Sequence, residues 1–133
     1  MKKMSYLLML LSILVVSCQE TQSNQNNSDS NNTGIFEKLS KDAFAKKMEE
    51  KTNEILIDVR TPEENKNGTI TNAININFYD KNFEEQLLKL DKSKPIFVFC
   101  KSGGRSGKTF SNMKDLEFKE VYELKGGYSG WKK

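Results

Sequence analysis

The sequence predicts an α/β fold in which a central parallel sheet of about five strands carries helices on both faces. Two observations predict it. Between Gly34 and Lys133, short runs rich in β-branched and aromatic residues alternate with segments whose apolar residues recur at helical spacing, the pattern of strands joined by crossover helices. One run, Pro95-Ile96-Phe97-Val98-Phe99, is apolar throughout instead of at alternate positions, as in a strand covered on both faces. The segment 34–133 is about 100 residues long, the usual size of one compact domain.

The elements follow in order. Ser40 is placed to cap a helix running to about Lys51, with Phe44 and Met48 on one face. Glu54-Ile55-Leu56-Ile57-Asp58-Val59 reads as a buried strand. Thr61-Pro62-Glu63-Glu64 has the form of a helix start with proline in the first turn, and Gly68 would end it. Ile70 to Ile76 gives a second, short strand, and Asn82 to Leu90 an amphipathic helix with Phe83, Leu87 and Leu90 inward. After the Pro95–Phe99 strand, a helix is expected from about Ser106 to Leu116, burying Phe110 and Met113. Glu120-Val121-Tyr122-Glu123-Leu124 is the last strand, and Gly126-Gly127 turns the chain into Tyr128 and Trp131, expected as core aromatics.

The segment before the domain has a different character. Residues 1–17 open with Lys2 and Lys3, continue through an apolar core from Leu7 to Val16 and end on the small Ser17, the layout of a secretory signal. The apolar stretch falls short of the roughly 20 residues of a membrane span. Val15-Val16-Ser17-Cys18 resembles the bacterial lipobox, and the resemblance implies that Cys18 is diacylated and becomes the new N-terminus. More than one acyl chain gives stable attachment. The expected location is then the cell envelope, lipid-anchored and facing the periplasm or the surface, with Gln19 after the cysteine favouring the outer membrane. The alternative is an ordinary signal peptide with Cys18 incidental. Residues 18–33 hold no large apolar side chain after Cys18 and read as a disordered polar tether.

Composition narrows the chemistry. The formal net charge of +3 includes the signal lysines, so no basic run supports a nucleic-acid partner. There is no histidine, no grouping has metal-ligand spacing and nothing resembles a Walker-type nucleotide loop, so neither a metal nor a cofactor is expected. Beyond Cys18 the chain has a single thiol, Cys100, which rules out an internal disulfide pair in the mature domain.

Cys100 ends the apolar strand and is followed by Lys101-Ser102-Gly103-Gly104-Arg105-Ser106. A free thiol with a pKa of about 8.5 becomes more acidic at a helix N-terminus or beside cations. Gly103 and Gly104 permit the backbone to curl its amides around a sulfur, the following helix adds its dipole, and Lys101 and Arg105 add formal charge. Such a site holds a thiolate, or a terminal sulfur anion attached to it. The plain alternative is a buried core cysteine at a strand end.

Several ordered motifs together resemble a single-domain rhodanese over roughly Phe36 to Trp131. They are Leu56-Ile57-Asp58-Val59-Arg60, Gly68-Thr69-Ile70 leading to Ala73-Ile74-Asn75-Ile76, the Cys100–Ser106 loop, and Leu124-Lys125-Gly126-Gly127 with Trp131. The resemblance implies the rhodanese-like α/β fold and a catalytic Cys100 that cycles through a persulfide. A small anionic donor such as thiosulfate would supply the sulfur, and cyanide, a thiol or a protein would accept it. Thr69 and Thr71-Asn72 stand where the family often has histidine and proline, and Thr109 where it has alanine; these read as packing changes.

The same resemblance suggests that Arg60 meets an anionic donor and that Asp58 helps fix the loop; otherwise Arg60 forms a local ion pair with Glu63 or Glu64. Lys101 steers an anion or is simply solvated, and Ser102 and Ser106 donate to a persulfide unless Ser106 is only the helix N-cap. Phosphatases of this fold have one more residue in the loop. Four residues separate Cys100 from Arg105 here, a ring expected to suit a sulfur atom and not a tetrahedral phosphate. The competing readings are a carrier or anion-binding module without turnover, and a phosphatase or arsenate reductase. A monomer is the expected state.

Overall fold

The structure, a computed structural model, describes residues 34–133. The expected signal segment 1–17, Cys18 and the tether 18–33 lie outside the described residues. The elements are β1 (Ile35–Leu39), α1 (Lys41–Glu50), β2 (Ile55–Asp58), α2 (Pro62–Lys66), β3 (Ile74–Asn75), α3 (Phe83–Leu88), β4 (Ile96–Phe99), α4 (Gly104–Asp115), β5 (Glu120–Leu124) and α5 (Gly127–Trp131). All pairings are parallel, in the order β1-β5-β4-β2-β3. Among the described residues, no helix is long and apolar enough to cross a membrane.

The central position of β4 explains its composition. Ile96, Phe97, Val98 and Phe99 are all fully buried, each burial contributing roughly 1.5–3 kcal/mol of transfer free energy. Successive side chains go to opposite faces. Ile96, Val98 and Cys100 join the core that contains Phe83 and Leu87 of α3 and Phe110 and Met113 of α4. Phe97 and Phe99 join the other core, with Phe44 of α1, Tyr122 of β5 and the partly buried Trp131 of α5. There Phe44 meets the Phe97 ring edge-on at 5.1 Å, and Phe97 stacks on Tyr122 at 4.8 Å. The expected parallel sheet with helices on both faces is therefore present.

Local chemistry sets the helix starts. Ser40 accepts the Ala43 N–H at the head of α1. Thr61 and Glu64 form a reciprocal capping box at the head of α2, with Pro62 in the first turn.

Three expectations are corrected. The Ile70–Ile76 strand shrinks to Ile74–Asn75, because Asn72 takes a left-handed conformation (φ +67°) in a turn closed by the Ala73 N–H on the Ile70 carbonyl. α4 begins at Gly104, two residues before the expected Ser106, because Gly103 at φ +107° already turns the chain into the helix. β1 is a strand that the sequence pattern does not mark: it lies at the sheet edge, and only Phe36 and Leu39 pack on the cores.

The end of the sheet is joined to α5 by two bonds. The Tyr128 N–H donates to the Cys100 carbonyl at 2.7 Å, and the Ser129 N–H to the Lys101 carbonyl at 3.0 Å. This close approach requires Gly127, at φ +57°, where a Cβ would lie 2.5 Å from the Cys100 carbonyl oxygen. Gly127→Ala is therefore expected to destabilise the domain by at least about 1–3 kcal/mol, the cost of left-handed backbone alone. Denaturant unfolding measures it, and a midpoint equal to wild type would refute the close-contact reading.

Candidate active site

The Cys100 loop is built by the end of β4 and the start of α4. Cys100 is 1% exposed, and its sulfur accepts the Gly103 N–H at 3.1 Å. Ser106, in the first turn of α4 and fully buried, brings its Oγ to 3.4 Å from the same sulfur. Ser106 is thus inside the helix and not its N-cap, which is Gly103.

Burial pushes the Cys100 thiol up. The Ser106 hydroxyl and the amides of Ser106, Gly103 and Ser102 outweigh it, so the thiol is held below its ordinary value. The expected curl of loop amides around sulfur is present. Of the two expected charges, Lys101 is exposed and Arg105 is already paired.

Arg105 donates to both oxygens of Glu64, at 2.7 and 2.9 Å, tying the loop to α2. The same Glu64 closes the capping box through the Thr61 N–H. Its partner on α2 is thus the loop arginine, so the local pair considered for Arg60 forms with neither Glu63 nor Glu64.

Arg60 pairs with Asp58 instead. The Arg60 guanidinium donates to both Asp58 oxygens and to the Gly68 carbonyl at 2.8 Å, and it lies 4.1 Å from the Tyr128 ring centroid. Asp58 also accepts from the Arg60 amide, Asn65 Nδ2 and Thr69 Oγ1. Burial raises the Asp58 carboxyl, but these donors, Arg60 foremost, hold it below its ordinary value. Asp58 therefore organises the segment between β2 and Thr69. In the structure it makes no hydrogen bond to the Cys100 loop, whose geometry the resemblance suggested it helps to fix.

A pocket of about 250 Å³ opens beside the loop, faced by Arg60, Lys101 and Lys132 with Tyr128 and Glu64. It reaches the loop at Lys101, and Cys100 does not line it. A larger hollow of about 510 Å³ lies near α1, bounded by Met48, Glu54, Ile70 and Trp131, with neither cysteine nor cation in its lining among the described residues. No group of acidic, histidine or cysteine side chains that could hold a metal occurs among the described residues.

Two residues near the site were not assigned to the Cys100 loop in the sequence. Glu64 was legible, as the fourth residue of a Thr-x-x-Glu capping signal. Glu123 is 3% exposed in β5, accepts the Ser106 hydroxyl at 2.8 Å and faces Lys38 Nζ at 2.9 Å. Its signal was a carboxylate between Tyr122 and Leu124 inside a strand that is otherwise apolar after Glu120.

The Arg105 hydrogen bonds are the main reason that Glu64 is lowered to about 2, with burial opposing and the Thr61 contacts assisting. A carboxyl depressed in the folded state adds stability that is complete above its unfolded value of 4.5 and is lost as pH falls towards 2. Wild type should therefore lose stability steeply over that window, and Glu64→Gln should flatten the slope there. Urea midpoints measured from pH 5 to pH 2 would show it; parallel curves would mean that the bridge does not persist in solution.

Known proteins place this arrangement. The model of the Rhodanese-like domain family matches residues 40–133. YqhL of Bacillus subtilis, itself uncharacterized, is 34% identical over 76 residues, and the match spans 57% of this chain and 59% of YqhL. The thiosulfate sulfurtransferase GlpE of Coxiella burnetii is 33% identical over 78 residues, covering 59% of this chain and 71% of GlpE. The crystal structure of a rhodanese-like domain protein from Staphylococcus aureus superposes with a TM-score of 0.63 at 25% identity, over 72% of this chain and 91% of that one. The family match runs from the cap of α1 to the C-terminus and takes in the whole Cys100 loop, and the chain belongs to the rhodanese-like domain family.

Proposed function

We propose that the domain is a sulfurtransferase whose Cys100 carries a sulfane sulfur as a persulfide from a small anionic donor, such as thiosulfate, to a thiophilic acceptor. The Cys100 thiolate attacks the outer sulfur of the donor. A new S–S bond forms, the donor's S–S bond breaks, and its electron pair leaves with sulfite. Cyanide, a small thiol or a protein thiol then takes the terminal sulfur and returns the thiolate. The observation that carries this reading is a pair of polar groups set on one sulfur atom: the Gly103 amide donates to it at 3.1 Å and the Ser106 Oγ lies 3.4 Å from it.

The Arg105–Glu64 bridge supports it against a phosphatase or arsenate reductase. A loop arginine held by both guanidinium branches on a carboxylate is not poised to clasp a tetrahedral oxyanion. Lys101, and Arg60 at the neighbouring pocket, would attract an anionic donor through their charge, with Arg60 kept in place by Asp58. A carrier without efficient turnover shares the first half of this chemistry.

Incubating residues 19–133 with thiosulfate should add one sulfur atom to the intact mass. The gain should be reversed by cyanide and absent in Cys100→Ser. No adduct would overturn thiosulfate as donor. An adduct without steady-state thiocyanate formation would favour the carrier, and hydrolysis of an aryl phosphate would revive the phosphatase.

We further propose that Cys18 anchors the domain by lipid at the bacterial cell envelope, with 18–33 as the tether. Labelled palmitate should be incorporated into the full chain and not into Cys18→Ala; equal labelling would overturn the anchor.

A further inference from the structure

The chemistry above leaves one proton without an assigned place. Cys100 rests as a thiol or a thiolate, but while it carries sulfur as a persulfide its own proton must be elsewhere. The chain contains no histidine to hold it. The buried titratable group nearest in hydrogen-bond terms is Glu123.

The sheet puts it there. In the parallel register Glu123 stands between Lys38 of β1 and Val98 of β4. Cys100 lies two residues beyond Val98, in the same core as Val98 and Val121. Side chains two apart share a face, so Glu123 and Cys100 lie under the same first turn of α4. Gly103 and Gly107 open the space: Cβ atoms built there would come to 3.9 and 3.4 Å from Glu123 Oε1. Ser106 fills the gap, its Oγ 2.8 Å from Glu123 Oε1 and 3.4 Å from Cys100 Sγ.

A serine hydroxyl has one proton to give. The shorter contact, to a carboxylate, is the charge-assisted one and takes it. Ser106 Oγ then offers Cys100 a lone pair, so in this state the sulfur is the donor, as a thiol. When the sulfur is a thiolate, the Ser106 proton turns to it and Oγ offers its lone pair to a protonated Glu123. One transferable proton therefore has two end states, and in both of them Ser106 Oγ keeps its contacts to Cys100 Sγ and Glu123 Oε1.

We propose that Glu123, acting through Ser106, is the positioning residue that stores the Cys100 thiol proton while the sulfur is covalently loaded. The inference rests on Cys100 being the nucleophile. With thiosulfate the step balances: Cys100–SH, Glu123–COO⁻ and S₂O₃²⁻ give Cys100–S–S⁻, Glu123–COOH and SO₃²⁻. Unloading to cyanide gives thiocyanate and Cys100–S⁻, and the proton returns from Glu123 through Ser106. The charged and titratable groups facing the carboxylate are Lys38 from β1, with Nζ 2.9 Å from Oε2, and Cys100 through Ser106 of α4. Oε2 receives no well-directed hydrogen bond, so Lys38 meets it as a charge.

Alkylation of Cys100 by iodoacetamide tests this without any sulfur donor, and so separately from the sulfurtransferase reading. It would be run against pH in the full chain carrying Cys18→Ser, alone and with Glu123→Gln or Ser106→Ala. Two sites sharing a proton titrate in two macroscopic steps. The parent should therefore show a low-pH shoulder of reactivity, and both variants a single step. At the shoulder their rates should be lower by about tenfold, the effect of one unit of thiol pKa. Thermal melting of Glu123→Gln checks that it folds, and Lys38→Met, which leaves the relay intact, should keep two steps at shifted positions. A single-step parent curve matching Glu123→Gln would overturn the proposal. Faster alkylation of Glu123→Gln at low pH would overturn it too, by showing that the carboxylate only opposes the thiolate through its charge.

Discussion

The site depends on the direction in which one short stretch of backbone points its dipoles. A buried strand must end, and the carbonyls of its last residues need donors. Here the amides of Tyr128 and Ser129 take the carbonyls of Cys100 and Lys101 from below. With those carbonyls committed outward, the following amides are free to face the sulfur, and Gly103 at φ +107° completes the turn. The contact between the Cys100 carbonyl and α5 thus sets the direction of the loop amides around the thiol. Phe97 and Phe99 on one face and Ile96 and Val98 on the other hold the strand rigid enough for the contact to be short.

Charge plays a smaller part at the sulfur than the loop composition suggests. Arg60 is spent on Asp58, Arg105 on Glu64 and Lys38 on Glu123. Each pair helps to join two pieces of chain: the end of β2 with the Gly68 turn, α2 with the Cys100 loop, and the edge strand with the sheet centre. What acidifies Cys100 against its own burial is a set of hydrogen bonds from neutral groups. Hydrogen bonds fixed by backbone geometry are present before any substrate arrives and need no reorganisation when charge develops.

Much of this was legible in the chain. The apolar run 95–99 with Cys100 at its end announced both the central strand and the site, and Thr61-Pro62-Glu63-Glu64 announced α2, because each is a local signal with a local cause. β1 was not legible, since an edge strand buries little and its pairing with β5 is decided by residues far away in sequence. Nor was the choice of partner for each arginine. Arg60 has Glu63 and Glu64 nearby in sequence, yet Asp58 alone points back along the strand end, while Glu64 is turned by its capping role towards Arg105.

Glu123 shows the limit most clearly. A carboxylate in a central strand looks like an error of pattern until the register sets Lys38 on one side and α4 brings Ser106 above it. Such a pair adds little to the fold, because Lys38 stays 47% exposed and the several kcal/mol needed to strip water from the Glu123 carboxylate offset the attraction. An aliphatic residue would fill the same space in β5 without that cost. What the carboxylate supplies there is an acceptor for the Ser106 hydroxyl and, in the proposal above, a second place for the Cys100 proton.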